Sequence, residues 1–276
     1  MISPPLMSLS SGTRIGQKTD VTPGLAQERS LQIPIVAAIV LLTLLAWAYL
    51  LHLHSQMTGA MADGEAMRAM GMPLDQPWTI TDVGFAFVMW TVMMAGMMSP
   101  SATPVLLVVA RAASARGESS RTPLVFGAGY FAVWTGFSAV ATLAQWVLHN
   151  AALLSPSMAA VSPRAAGITL VVAGLYQLTP EKRACLQHCR NPIDFLMMHW
   201  RPGAAGSFGL GVRHGWYCLG CCWALMIVLF AVGLMNLVWV AAIGAVILIE
   251  KTAWGGVALA RVTGAVLILV GGYSAL

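Results

Sequence analysis

The sequence predicts an all-α fold: a polytopic membrane helix bundle of about seven transmembrane helices, N-terminus inside and C-terminus outside. Three observations predict it. Of 276 residues, 58% are apolar and only 9% are Asp, Glu, Lys or Arg, against about 25% charged residues in a soluble domain. Mean hydropathy is +0.76, and apolar stretches of about 20 residues, long enough to cross a bilayer, recur along the chain. The basic residues lie between those stretches with a bias that sets orientation. So few charges cannot cover a soluble surface, which excludes an ordinary soluble enzyme, a disordered tail protein and a secreted disulfide scaffold. The net charge of +5 is spread between apolar segments, so no nucleic-acid partner is expected.

Each element has its own justification. Residues 1–33 are mixed and polar, with Arg14, Lys18 and Arg29, and read as a flexible cytoplasmic tail. Residues 34–54 are an unbroken apolar run and form the first span. A cleaved signal peptide competes with that reading, but the polar lead is too long and Thr58-Gly59-Ala60 is a poor cleavage site. Residues 55–78 are a polar loop rich in Met and Gly. The second span covers about 83–109 and is followed by Arg111, Arg116 and Arg121; the third covers about 124–148. The fourth, about 165–178, is short and starts near Pro163. Residues 179–206 are the longest internal polar stretch. The fifth span covers about 211–233, a tight turn at Met235-Asn236 leads to the sixth, about 237–250, and the seventh covers about 256–276. With the N-terminus inside, thirteen Lys and Arg fall inside and only Arg68 and Arg164 outside, a bias that needs all seven crossings to keep its phase.

No Walker loop, dinucleotide glycine fingerprint, hydrolase elbow or HExxH occurs, so no nucleotide partner is expected. The glycines of Gly209–Gly215 follow no strand and do not read as a phosphate loop. Small-residue runs in the third and seventh spans read as close helix packing.

The chemistry concentrates in sulfur. All five cysteines lie in two clusters, Cys185-Leu-Gln-His188-Cys189 and Cys218-Leu-Gly-Cys221-Cys222. In each, ligand-capable residues stand at i, i+3 and i+4, one face of a helix, and His214 extends the second face by a turn. Both clusters fall on the reducing side, where thiols persist and bind metals or do redox chemistry. A lone cysteine would read as packing; two matched triplets point to metal ligation. Met93 and Met97, with Met94 and Met98 beside them, continue the spacing of Met89 as a thioether stripe in the second span. Ser99-Pro100-Ser101 and Pro104 follow and are expected to kink or break that helix. Cys218, Cys222 and Met226 repeat at i, i+4 and i+8 in the fifth span. His52, His54, Met57, Met61, Met67, Met70 and Met72 lie at or beyond the outer end of the first. Met stripes are commonly packing, but thioethers beside thiols turn the metal choice from zinc towards copper. Asp82 and Glu250-Lys251 sit near interfaces, where solvated or capping roles are expected, although Glu250 is within reach of the thiols. Trp78, Trp200, Trp239 and Trp254 read as interfacial anchors.

MWTVMMAGMMSPSATP, YQLTPEKRACLQHCRNP, GVRHGWYCLGCCWALM and IEKTAWG, in that order, resemble the bacterial predicted metal-binding integral membrane proteins, a domain-of-unknown-function family. The resemblance covers about residues 80–275. It implies a multi-pass protein of the bacterial cytoplasmic membrane for which metal binding is expected, with Met93, Met94, Met97, Met98, Pro100, Pro104, Pro180, Lys182, Cys185, Cys189, Arg190, Pro192, Cys218, Cys221, Cys222, Trp223, Glu250 and Lys251 as its motif positions.

The expectation is therefore a membrane protein that binds a soft ion, copper before zinc, for transport or delivery. Cys185, His188, Cys189, Cys218, Cys221 and Cys222 would form the inner site and the methionines with Met226 a relay. Membrane lipid, the metal ion and a membrane or periplasmic protein are the expected partners. No acid–base constellation argues for catalysis. The rival readings are a metal- or thiol-dependent oxidoreductase and an assembly subunit with structural zinc.

Overall fold

The computed structural model describes residues 22–69, 78–151, 153, 162–234 and 236–276. Among the described residues the chain forms nine helices: α1 (Thr22–Ala69), α2 (Ile80–Ala115), α3 (Thr122–Asn150), α4 (Pro163–Leu178), α5 (Pro180–Arg190), α6 (Pro192–His199), α7 (Gly203–Val232), α8 (Leu237–Thr252) and α9 (Gly256–Ala275). Expectations for Arg14, Lys18, Met70, Met72 and Met235, and for the side chains of Arg29, Met57, Met61, Met67 and Arg68, fall outside the described residues.

Among the described residues, five helical segments are long and apolar enough to cross a membrane: Gln32–Gln56 within α1, and all of α2, α3, α7 and α9. The stretches expected to be the fourth and sixth spans are helices, α4 and α8, of 16 residues each, and are not among these five. At about 1.5 Å per residue they reach about 24 Å, short of a hydrocarbon core of about 30 Å.

Local sequence accounts for three departures from expectation. α1 begins before the apolar run and continues past it to Ala69, so residues 22–33 and 55–69 are helical rather than tail and loop; the second stretch is rich in Ala and Met, good helix formers. The polar stretch after α4 folds into α5 and α6, each opened by a proline in its first turn, where a missing N–H costs nothing. Thr179 caps α5, its hydroxyl accepting from the Lys182 amide at 3.3 Å. The third departure is that α2 runs unbroken through Pro100 and Pro104. Hydroxyls of Ser99, Ser101 and Thr103 donate to the carbonyls of Ala95, Met98 and Ser99 at 2.5, 3.0 and 3.2 Å, supplying bonds around the prolines. Asp82 has the capping role expected of it: the Thr79 amide donates to its carboxylate at 2.8 Å and Thr79 accepts from its amide.

α7 is central. It packs between α3 and α4, α2 lies beyond α3 with α1 outside it, and α9 lies beyond α4. α8 touches α2, α7 and α9, and α5 rests across α7 and α8. The small-residue seams behave as packing surfaces. A methyl on Gly174 would stand 2.7 Å from the Gly264 carbonyl oxygen, and one on Gly271 2.6 Å from that of Gly167. Gly211, inside the glycine-rich stretch of α7, meets the Phe126 carbonyl of α3 even more closely. Only glycine allows backbones this near.

The pairings also give direction. Phe126 meets Gly211 and Val133 meets Gly215, so α3 and α7 run the same way. Met97 against Gly244 and Ser101 against Lys251 make α2 and α8 parallel too. Gly167 and Gly174 pair with Gly271 and Gly264 in reverse order, so α4 and α9 are antiparallel. Between the parallel α3 and α7 the chain therefore returns along the bundle through α4.

Candidate metal centre

Glycine at 220 sets up the centre. A side chain there would stand 2.8 Å from the Cys185 sulfur, so its absence lets α5 lie against α7. That docking brings Cys189 Sγ to 3.9 Å from Cys221 Sγ, and the two cysteine clusters meet. α4 is tied to the same layer, the Tyr176 hydroxyl donating to the Gly220 carbonyl at 2.5 Å.

Cys218, Cys221 and Cys222 are all buried. The thiols of Cys221 and Cys222 turn back and donate to the Cys218 carbonyl at 3.0 and 2.9 Å. The Cys218 sulfur lies within hydrogen-bonding reach of the Cys189 and Cys222 sulfurs, and stands 3.0 Å from the Tyr130 hydroxyl and 3.0 Å from the Lys251 ammonium, which also donates to Ser101 at 3.4 Å. Side chains from α3 and α8 thus converge on one sulfur of α7, with α2 joined through Lys251. All five cysteines are free. Burial, with Cys221 beside it, pushes the Cys185 thiol above its ordinary range. The sulfurs of Cys218 and Cys221 favour the protonated form of Cys189 and push it well up. A metal taking these two thiols must therefore displace their protons.

The histidines divide. His188 stacks flat on Tyr217, centroids 4.3 Å apart at 5°, with Nδ1 bonded to the Ala184 carbonyl at 2.8 Å; its ring contacts lie away from the sulfurs. His214 is buried among the rings of Phe126, Tyr130 and Phe195. Its Nδ1 has no hydrogen-bond partner, and it stands one turn from Cys218. Met93, Met94, Met97, Met98 and Met226 are all buried in the same apolar core as the three α7 cysteines. α2 reaches α7 by its side chains, Trp90 packing on Phe230 with centroids 5.4 Å apart.

Among the described residues no three or more His, Cys, Asp or Glu are arranged to hold a metal ion. The shared helical face predicted for the α7 triplet exists, and Cys218, Cys221 and Cys222 on it are sulfur neighbours of one another and of Cys189. The pair that joins the two clusters most directly is Cys189 and Cys221. Two metal–thiolate bonds of about 2.3 Å span at most about 4.6 Å, which the Cys189–Cys221 separation satisfies. The Lys251 ammonium shows that the space beside Cys218 accommodates a positive charge.

The charged pair Glu250-Lys251 departs from the interfacial role expected of it, since both residues are buried. Glu250 does not reach the sulfurs: its carboxylate pairs with Lys182 at 2.7 Å and accepts from Gln177 at 3.0 Å. Lys182 also donates to Gln177, and Arg190 donates to the Glu250 backbone carbonyl at 2.7 Å. Lys251 and Tyr130 are the sulfur neighbours that sequence reasoning passed over, with Ser101 behind Lys251; Lys251 was visible as a charge closing an apolar run. Trp239 and Trp254 are exposed, as anchors should be, whereas Trp200 carries the Arg116 guanidinium 4.7 Å above its ring.

A family model described as PpoB2, copper chaperone, matches residues 87–274, nearly the stretch that carries the resemblance noted in the sequence. The match supports the metal-related part of that resemblance and replaces its unknown-function label with copper. No curated protein and no solved structure matches the chain.

Proposed function

Because the chain belongs to the PpoB2 copper chaperone family, we propose that it is an integral membrane protein that binds Cu(I) at its thiol centre and passes it on along the bundle. The observation that carries this reading is the meeting of the two cysteine clusters, Cys189 to Cys221 at 3.9 Å. Thiols and thioethers are the donors that suit Cu(I), and hard ions would find no oxygen cage among these residues. Cys185, Cys189, Cys218, Cys221 and Cys222 receive the ion, with His214 in reserve behind Cys218. His188 orients α5 against Tyr217. Met93, Met94, Met97, Met98 and Met226 are neutral, weak donors that hold an ion loosely enough to release it.

In this reading the bundle crosses the cytoplasmic membrane seven times, N-in and C-out, with α4 and α8 as short crossings. The parallel course of α3 and α7 supports a crossing between them. The thiol centre then lies near the inner surface, where the ends of α4 and α8 meet α5, and a membrane or periplasmic protein exchanges copper with the chain.

Metal content of the detergent-purified, reduced chain tests the reading, beside a variant with all five cysteines changed to Ser. Near-stoichiometric copper in the first and its loss in the second are expected, with both eluting as folded protein. Zinc in place of copper, or a chain that stays empty after incubation with Cu(I), would overturn it.

A further inference from the structure

At the opposite end of the bundle from the thiols, α1, α2, Leu234 and the start of α8 line a half-open cavity of about 20 Å³, its walls Leu50, Leu53, His54, Met89, Met93, Leu234, Leu237 and Val240. A void needs about 10–15 Å³ to hold one water-sized body, so this one has room for a single ion. Its polar-capable donors are graded in depth. His54 is exposed, Met89 is 5% exposed and Met93 1%. The remaining walls are aliphatic and no carboxylate lines them.

Methionine ordinarily fills irregular gaps in an apolar core, and cores leave few voids. A void left unfilled beside two methionines and an imidazole is the opposite of that behaviour. The donor set is soft and neutral, which suits Cu(I) and disfavours Mg or Ca. Its position is also continuous with the thiol centre. From Met93, Met97 and Ser101 follow at successive turns of α2, about 12 Å of rise, and Ser101 touches Lys251, which touches Cys218.

We propose that this cavity is a second Cu(I) site, entered past His54 and held by the thioether sulfurs of Met89 and Met93, from which the ion descends α2 towards the thiols. The inference rests on the copper reading above but is tested apart from it. Cu(I) bound by the full-length, detergent-purified chain is counted by competition with a chromophoric Cu(I) chelator, for wild type, the double variant Met89→Leu/Met93→Leu and His54→Gln. Leucine matches methionine closely in volume, and elution profile and thermal midpoint verify the fold. The double variant is expected to bind one equivalent fewer while its remaining copper keeps thiolate ligands. His54→Gln is expected to weaken that equivalent by at least the roughly tenfold that losing an outer-shell partner costs a metal site. In the five-Cys→Ser chain, Ag(I) is expected to shift the methyl resonances of Met89 and Met93. Equal Cu(I) counts in wild type and double variant, or methyl signals that do not move, would overturn the outer site and leave the thiol centre standing. A wild-type chain that binds no Cu(I) would overturn both.

Discussion

Glu250 and Lys251 are adjacent in sequence, and a helix turns about 100° between neighbours, so their side chains serve different partners. Glu250 goes to Lys182 and Gln177, joining α8 to α4 and α5; Lys251 goes to Cys218, joining α8 to α7. Charges this deep are kept only when paired. Removing one partner of a buried ion pair costs about 3–5 kcal/mol, because the other is left uncompensated. Glu250→Ala is therefore expected to lower the thermal midpoint of the detergent-solubilised chain sharply. The double change Lys182→Met with Glu250→Leu should recover much of the loss. A midpoint unchanged by Glu250→Ala alone would contradict the ion pair. The same rule explains why α5 sits where it does: Lys182 anchors its first turn, and Cys185 and Cys189 follow on turns directed to α7.

Helices here are held by glycine seams as much as by apolar bulk. In lipid, apolar side chains gain little by choosing a neighbouring helix over a tail, so close backbone approach has to supply specificity. α7 offers an internal control. Gly211 faces the Phe126 carbonyl of α3, while Gly209, two residues earlier on the same helix, faces open space. Gly211→Ala is expected to destabilise the bundle by about 1–3 kcal/mol, the range for overpacking. Gly209→Ala should be neutral or stabilising by up to about 1 kcal/mol, the helix-propensity difference. Equal effects on the unfolding midpoint would show that the seam does not hold α3 to α7.

For the molecule as a whole, the number of crossings decides which face carries which chemistry. Counting only the five long apolar segments would put the start of α7 outside; counting α4 and α8 puts it inside with the thiols. Reporter fusions at Arg201 discriminate. A cytoplasm-active reporter is expected to function there and a periplasm-active one to fail, with the reverse after Leu276. Periplasmic activity at Arg201 would reduce the count to five and move the thiol centre across the membrane. Lys182 and Lys251 belong to the positive bias that favours seven, but both are buried in pairs. The bias therefore rests on the remaining basic residues.

Composition and apolar run length were enough to read an all-helical chain with helices long and apolar enough to cross a membrane, and i, i+3, i+4 spacing was enough to single out the sulfur-bearing faces, because both properties are local. The same locality hid the rest. Whether α2 breaks at its prolines depended on the packing of its buried face against neighbouring helices, and whether 179–206 was loop or helix depended on caps that a polar stretch does not advertise. That Cys185 and Cys189 would meet α7 depended on a missing side chain at Gly220, 31 residues beyond Cys189. The partners of Cys218 proved to include a lysine and a tyrosine from other helices, and the void beside Met89 and Met93 exists only where α1 and α8 meet α2. Spacing along a chain orders residues on a face; packing between helices alone decides what that face meets.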